Sequence, residues 1–295
     1  MFFIANHPIY NHPLPEGHRF PMLKYELLPK QLLHEGTAEC TDFYSPDSID
    51  LSLVHAVHTV SYVKALTELT LDAKAVRSIG FPLSAALVER ELRIAQGTVV
   101  GCNHALENGI AFNIAGGTHH AFSDRGEAFC LLNDQAIAAQ YLINQKKCHK
   151  ILIVDLDVHQ GNGTAEIFQN NADVITFSMH GQSNYPFRKE TSDYDIALPD
   201  KTDDTTYLSI LQETLPELLN IHRPDFVFYL AGVDILGTDK LGKLGCTLEG
   251  CKARDSYVLG LCKSLGIPVQ VSMGGGYSPA IKTIIEAHAN TYRVA

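Results

Sequence analysis

Two hydrophobic patterns alternate along this chain. Apolar runs of β-favouring residues occur at 2–4, from Phe112 into a Gly-Gly turn at 116–117, and at 151–157, 174–180, 226–234 and 269–277. Between them, apolar residues recur every three or four positions. This predicts helices at 22–36 (interrupted by Pro29), a pair within 47–69, one at 82–97 stopped by Gly97, and one at 98–111 with a loose end. Further helices are predicted from 134 through Gln145, and at 164–169, 205–221, 247–265 (opened by Thr247) and 279–290. Residues 7–22, rich in Pro and His, and 181–203 read as loop.

Strands alternating with helices predict a three-layer α/β/α fold around a mostly parallel central sheet. No linker, repeat or composition shift divides the chain, so residues 1–295 are expected to form a single domain. Sites in such folds lie outside the carboxyl ends of the strands. Every polar cluster here falls at such an end: His119-His120, Asp155/Asp157/His159, Asp234 and Tyr277. Though far apart in sequence, they are expected on one rim.

Ile151-Leu-Ile-Val-Asp-Leu-Asp-Val-His159 carries three donors two positions apart, which share a face if the strand persists to His159. An Asp-x-Asp at a strand end also serves phosphate and sugar transfer, or caps the next helix. The wider constellation favours a metal. Asp157, His159 and Asp234 can supply the three ligands of a catalytic zinc, with iron or cobalt as alternatives on the same donors. Adjacent His119 and His120 can act as base and acid, and Tyr277, beyond three glycines, can donate to an oxyanion. Together these make machinery for metal-assisted amide hydrolysis. A binuclear site would need further carboxylates, and Leu236 stands where a second Asp-x-Asp would require one.

Bulk properties narrow the setting. A formal charge of −10 argues against sequence-independent nucleic-acid binding and is compatible with cationic substrates such as lysine side chains or polyamines. Seven cysteines, odd in number and without a CxxC pair, argue against a disulfide scaffold and for a reducing, cytoplasmic setting. The first residues turn polar too early for a secretory signal, and no apolar run approaches the ~20 residues of a membrane helix.

Gly116-Gly-Thr-His-His120, Ala128-Phe-Cys-Leu-Leu-Asn-Asp134, Val154-Asp-Leu-Asp-Val-His159, Leu230-Ala-Gly-Val-Asp234 and Gly274-Gly-Gly-Tyr277 resemble, in order, the motif blocks of the zinc-dependent histone deacetylase family. The likeness spans most of the chain. It implies the arginase/deacetylase fold, with Asp157, His159 and Asp234 as zinc ligands and His120 as general base and acid. His119 would be its electrostatic partner, supported by Asp155, and Tyr277 the transition-state donor. Phe129, Tyr185 and Gly275 would line the acyl-lysine tunnel. Asp155, Asp157, His159, Ser178 and Met179 match a monovalent cation site, usually potassium. The compact length, His159-Gln-Gly-Asn-Gly163 and the His12-Pro-Leu-Pro-Glu-Gly-His18 loop look most like the class IV branch and its bacterial relatives.

Two positions depart from the common pattern. Asn162 stands where some branches place an Asp behind the second histidine, and a neutral partner raises the pKa of His120 less than a carboxylate would. Ala128 stands where Gly is common, and its methyl could narrow the tunnel wall. The resemblance implies an enzyme acting on an acyl-lysine protein or peptide, without membrane or direct nucleic-acid partners. An acetylpolyamine amidohydrolase and an inactive acyl-lysine binding protein are the alternatives. Acyl length and oligomeric state are left open.

Overall fold

The computed structural model describes residues 2–295. Among them, strands β1 (Ile4–Ala5), β2 (Phe43–Tyr44), β3 (Ile110–Asn113), β4 (Ile151–Asp155), β5 (Val174–Gly181), β6 (Tyr194–Leu198), β7 (Phe226–Leu230) and β8 (Val269–Ser272) form one sheet. Its order is β2-β1-β3-β8-β7-β4-β5-β6, and every pairing is parallel. All residues of β4, β5, β7 and β8 are buried, so both faces are covered, as near-continuous apolar runs require. Helix α5 (Ala85–Asn108) packs on β1, β3 and β8 and against α6 (Asp134–Asn144). A second group, α1 (Lys24–Glu35), α10 (Ile281–Arg293), α9 (Leu248–Leu265) and α8 (Asp204–His222), packs in succession. The expected α/β architecture is therefore found, with a sheet that is wholly parallel.

The differences have local causes. Helix α5 runs straight through Gly97 and joins two stretches that read as separate helices. Gly97 is there for contact: a Cβ would lie 2.8 Å from the Ala5 methyl and 2.9 Å from the Tyr10 hydroxyl. The helix starts where Ser84 Oγ accepts from Leu87 N–H and stops at Gly109, whose φ is 93°. Helices α2 (Leu51–His55) and α3 (Val60–Thr67) match the predicted pair, α7 (Asn162–Phe168) matches the helix expected at 164–169, and α4 (Ala73–Ile79) has no counterpart in the sequence pattern. Residues 194–198, read as loop, form β6, an edge strand that alternates exposed and half-buried positions. Strands β4, β7 and β8 end earlier than their apolar runs, at Asp155, Leu230 and Ser272. The segments beyond are loops, and they build the site.

Four consecutive strands of the sheet, β3, β8, β7 and β4, carry those loops. Their carboxyl ends lead to His119-His120, Tyr277, Asp234 and Asp157/His159 respectively. Sheet order, not sequence order, makes these residues neighbours.

Candidate active site

Asp155 is the last residue of β4, so strand alternation does not align Asp155, Asp157 and His159. Side-chain turns do. Asp157 N–H donates to Asp155 Oδ1 at 3.1 Å, and His159 N–H donates to Asp157 Oδ1 at 3.0 Å. The β7 loop locks onto this segment through Val158 N–H to Asp234 Oδ1 at 3.0 Å, and the β8 loop through Gly275 N–H to Asp157 Oδ2 at 2.8 Å. Any side chain at Gly275 would collide with the Asp234 carboxylate.

The three loops bring Asp157, His159 and Asp234 together, with one donor atom from each lying within 4.8 Å of the others. His159 Nδ1 is 3.0 Å from Asp157 Oδ1 and 3.1 Å from Asp234 Oδ2. One ring N–H cannot serve both oxygens, and Asp234 Oδ2 is left buried without a hydrogen bond. Burial and the Asp157 charge push the Asp234 carboxyl up to about 7. Burial disfavours the charged form of His159, but its hydrogen bonds and the two carboxylate charges outweigh that and push it up to about 10. Burial also opposes ionisation of Asp157, yet His159 and His119 hold it well below the usual carboxylate range. Two carboxylates and an imidazole converging on one point, with an oxygen left over, fit a divalent cation of zinc type. Among the described residues this is the one such group.

The histidine pair sits beside it, with ring centroids 4.1 Å apart. His119 Nδ1 lies 2.7 Å from Asp155 Oδ2, and His120 Nδ1 lies 2.6 Å from Asn162 Oδ1. Both oxygens accept, so each Nδ1 carries a proton, and the Nε2 of His120, which has no partner among the described residues, keeps its lone pair. Burial opposes protonation of His119, but Asp155 outweighs it and raises its pKa. Burial, together with the charges of His119 and His159, pulls His120 well below the usual imidazole range. Environment thus separates the two rings.

Tyr277, Phe129, Tyr185 and Gly275 line the same cavity of about 460 Å³, which also exposes Asp157, His159, His119 and His120. That volume is in the range of small-ligand pockets. Tyr185 stands edge-on to His120, 5.0 Å between centroids, and its hydroxyl donates to Glu127 Oε2 at 2.6 Å. Phe129 packs on Phe20 and Phe81 at 5.1 Å each and faces Tyr277 at 6.3 Å. Ser178 pairs with Asp155 across β4 and β5, with its Oγ 3.0 Å from His180 Nδ1, and Met179 is buried beside it.

Ala128 has a left-handed φ of 43° and Phe129 of 70°, held by N–H bonds to Ser78 O (2.9 Å) and Ile79 O (2.6 Å). The departure at Ala128 is therefore felt in the backbone, where a methyl is strained and glycine is not. Ala128→Gly is expected to raise the melting temperature by about 1–3 °C, the relief of strain exceeding the added unfolded-state entropy. Scanning calorimetry checks this, and a lowered Tm contradicts it.

Several positioning residues were not visible in the sequence. Fully buried Arg254 donates to Leu156 O and Gly232 O, at 3.1 and 2.6 Å, bracing the two ligand loops, and is paired with Asp255. Asp134 Oδ1 accepts from Gly117 and Thr118 N–H at 2.8 and 3.0 Å, shaping the turn before the histidines. Asp239 accepts from Tyr277 N–H at 2.6 Å. Buried Lys24 donates to Gly274 O at 2.9 Å, and burial brings its ammonium down to about 8. Asp134 lies in a motif block, and Arg254-Asp255 is a charged pair inside a helix. For Lys24 and Asp239 no sequence signal marks the role.

A parallel α/β sheet with a buried Asp-His-Asp cluster at its carboxyl rim defines the class. The model of the histone deacetylase domain matches residues 18–292, and the chain belongs to that family. It is 46% identical over 294 residues, 100% of this chain and 98% of the other, to an uncharacterized protein of Picosynechococcus sp.. It is 28% identical to histone deacetylase 2 of Arabidopsis thaliana, over 91% of this chain and 72% of that one. It is also 28% identical to type-1 histone deacetylase 1 of Dictyostelium discoideum, over 94% of this chain but only 57% of the longer relative. The crystal structure of the HDA15 HD domain superposes with a TM-score of 0.83 at 21% identity, covering 99% of this chain and 87% of that one, which bears on the fold. Among the described residues, no helix is long and apolar enough to cross a membrane.

Proposed function

We propose that this chain, acting as one catalytic domain, is a zinc-dependent amidohydrolase that removes acetyl or longer acyl groups from Nε-acyl-lysine. The observation that carries this reading is the pairing of a buried three-donor cluster with two histidines held through Nδ1, one by a carboxylate and one by an amide oxygen, at one end of an aromatic-walled cavity. Asp157, His159 and Asp234 would hold the zinc. When bound, it would polarise the acyl carbonyl and acidify a water. His120 accepts the water's proton at Nε2 and returns it to the leaving amine, while Asn162 keeps its Nδ1 proton in place. His119, tied to Asp155, supplies a neighbouring positive charge. Tyr277 donates its hydroxyl to the developing oxyanion. Phe129 and Tyr185 flank the lysine stem, and Gly275 leaves room beside it.

Asp155, Ser178 and Met179 are assigned to a potassium site with Asp157 and His159. The nearest branch is class IV, on the strength of the 12–18 loop and His159-Gln-Gly-Asn-Gly163.

A panel of acetyl-, butyryl- and myristoyl-lysine peptides, run with chelation and metal add-back, tests the reading. Absence of metal-dependent turnover on every member overturns it. Asn162 offers a finer check. Asn162→Asp places a carboxylate at His120 Nδ1, stabilises the imidazolium and raises its pKa. The acidic limb of the kcat/KM–pH profile is then expected to move up by about one unit. An unmoved limb removes His120 from the base role.

A further inference from the structure

We propose that the mouth of the cavity selects acylated amines that carry a carboxylate close to the scissile amide, in preference to neutral or cationic neighbours. This rests on the amidohydrolase reading and adds the substrate's surroundings to it.

Two exposed cations line the cavity, Arg19 and Lys243, and neither is ion-paired to a carboxylate among the described residues. The Arg19 guanidinium lies over the outer wall, 5.0 Å from the Phe129 ring centroid. Lys243 Nζ is steered by Ser183, donating to its carbonyl at 3.0 Å and lying 3.3 Å from its hydroxyl. Among the described residues, the only carboxylate lining the cavity is Asp157, which belongs to the metal cluster. Three acids outside the lining accept hydrogen bonds from its residues. Glu127 accepts from Arg125 Nε (3.0 Å) and the Tyr185 hydroxyl (2.6 Å), and Asp200 accepts from Ser183 Oγ. Asp239 spends its oxygens on the amides of Leu241, Gly242 and Tyr277.

The exposed charged side chains of the lining, Arg19 and Lys243, are therefore both positive, in a chain with 33 acidic and 23 basic residues. The bulk charge pointed to cationic partners, and the mouth reverses that locally. A polyamine would bring its distal ammonium groups against Arg19 and Lys243. An acyl-lysine flanked by Asp or Glu, or one whose own α-carboxylate is free, would bring the complementary charge. Phe187, 91% exposed on the same rim, offers such a segment an apolar shelf.

The test uses zinc-loaded full-length protein and matched acetyl-lysine peptides, blocked at both ends, with Glu, Gln or Lys on either side. A free Nε-acetyl-lysine arm separates the α-carboxylate from flanking side chains as the source of charge, and acetylspermidine is the cationic comparison. Turnover is read as kcat/KM, and binding of the labelled peptides by anisotropy. Glu flanks are expected to exceed Lys flanks by about tenfold in both readouts, shrinking with added salt. In the double variant Arg19→Gln/Lys243→Gln the ratio falls toward one. Equal turnover of all flanks, preference for acetylspermidine, or an unchanged ratio in the double variant overturns the proposal and leaves the amidohydrolase reading standing. Flank-dependent binding without turnover overturns the hydrolase and keeps the selective mouth, while loss of both binding and turnover on every peptide overturns both.

Discussion

Replacing Tyr277 by Phe is expected to lower kcat by about 100- to 1,000-fold with KM nearly unchanged. The substitution removes one oxygen and leaves the ring in its packing, 5.9 Å from Phe20 and 6.3 Å from Phe129 by centroid. The hydroxyl makes no hydrogen bond to another described residue, although the backbone beneath it is fixed by Asp239. A polar group on a cavity wall with no internal partner is held ready for something that enters. Burial, reinforced by the charges of Asp157 and Asp234, pushes its pKa well above the usual tyrosine range. It therefore stays a neutral donor across every pH at which the histidines work. A donor that meets only the developing oxyanion contributes to kcat and little to ground-state binding. Steady-state kinetics on an acetyl-lysine peptide, with an unchanged Tm as control for folding, decide the matter. Hydrolysis at the wild-type rate would remove Tyr277 from the chemistry.

What could be read from the sequence follows from where each signal resides. Strands β4 and β7 announce themselves because both faces are buried, which writes an unbroken apolar run into 151–154 and 226–231. Strand β6 has exposed Asp195 and Ala197 between less exposed neighbours and no such run, so its sequence reads as loop. Propensity marks Gly97 as a stop, yet its place is set by Ala5 and Tyr10, residues far away in the chain. The donors at the strand ends were legible for a chemical reason: Asp and His are costly in such positions unless something uses them. Their alignment was not. It depends on the turns through Asp155 and Asp157 after the strand has ended. Arg254, Lys24 and Asp239 act by reaching backbone atoms of other segments, and such partnerships exist only once the sheet order has placed those segments side by side.

The affinity of the cluster for zinc is expected to weaken about tenfold per unit as pH falls from about 9 to 7, and more steeply below 7. The metal must displace protons that the metal-free site binds tightly. His159, pushed up to about 10 by the two carboxylates, holds one throughout this range, and Asp234, up at about 7, takes a second on further acidification. Asp157 stays ionised, so it adds no slope. Both raised groups bind protons more tightly in the folded than in the unfolded chain, whose values are 6.5 for the imidazole and 3.8 for the carboxyl. Their effect on the metal-free fold therefore favours low pH, and the site's contribution declines as pH rises through about 7 and on toward about 10. The metal-loaded fold runs the other way, since its ligands are already deprotonated. The Tm difference between loaded and chelated protein should accordingly widen with pH. Calorimetric titrations in buffers of different ionisation enthalpy should count about one proton released near pH 8 and more than one near pH 6.5. Asp234→Asn, which cannot take up the second proton, should bind zinc more weakly and lose the steepening below 7. Proton release of zero, with an affinity flat across this range, would mean that the imidazole and carboxylates converging here do not hold the metal.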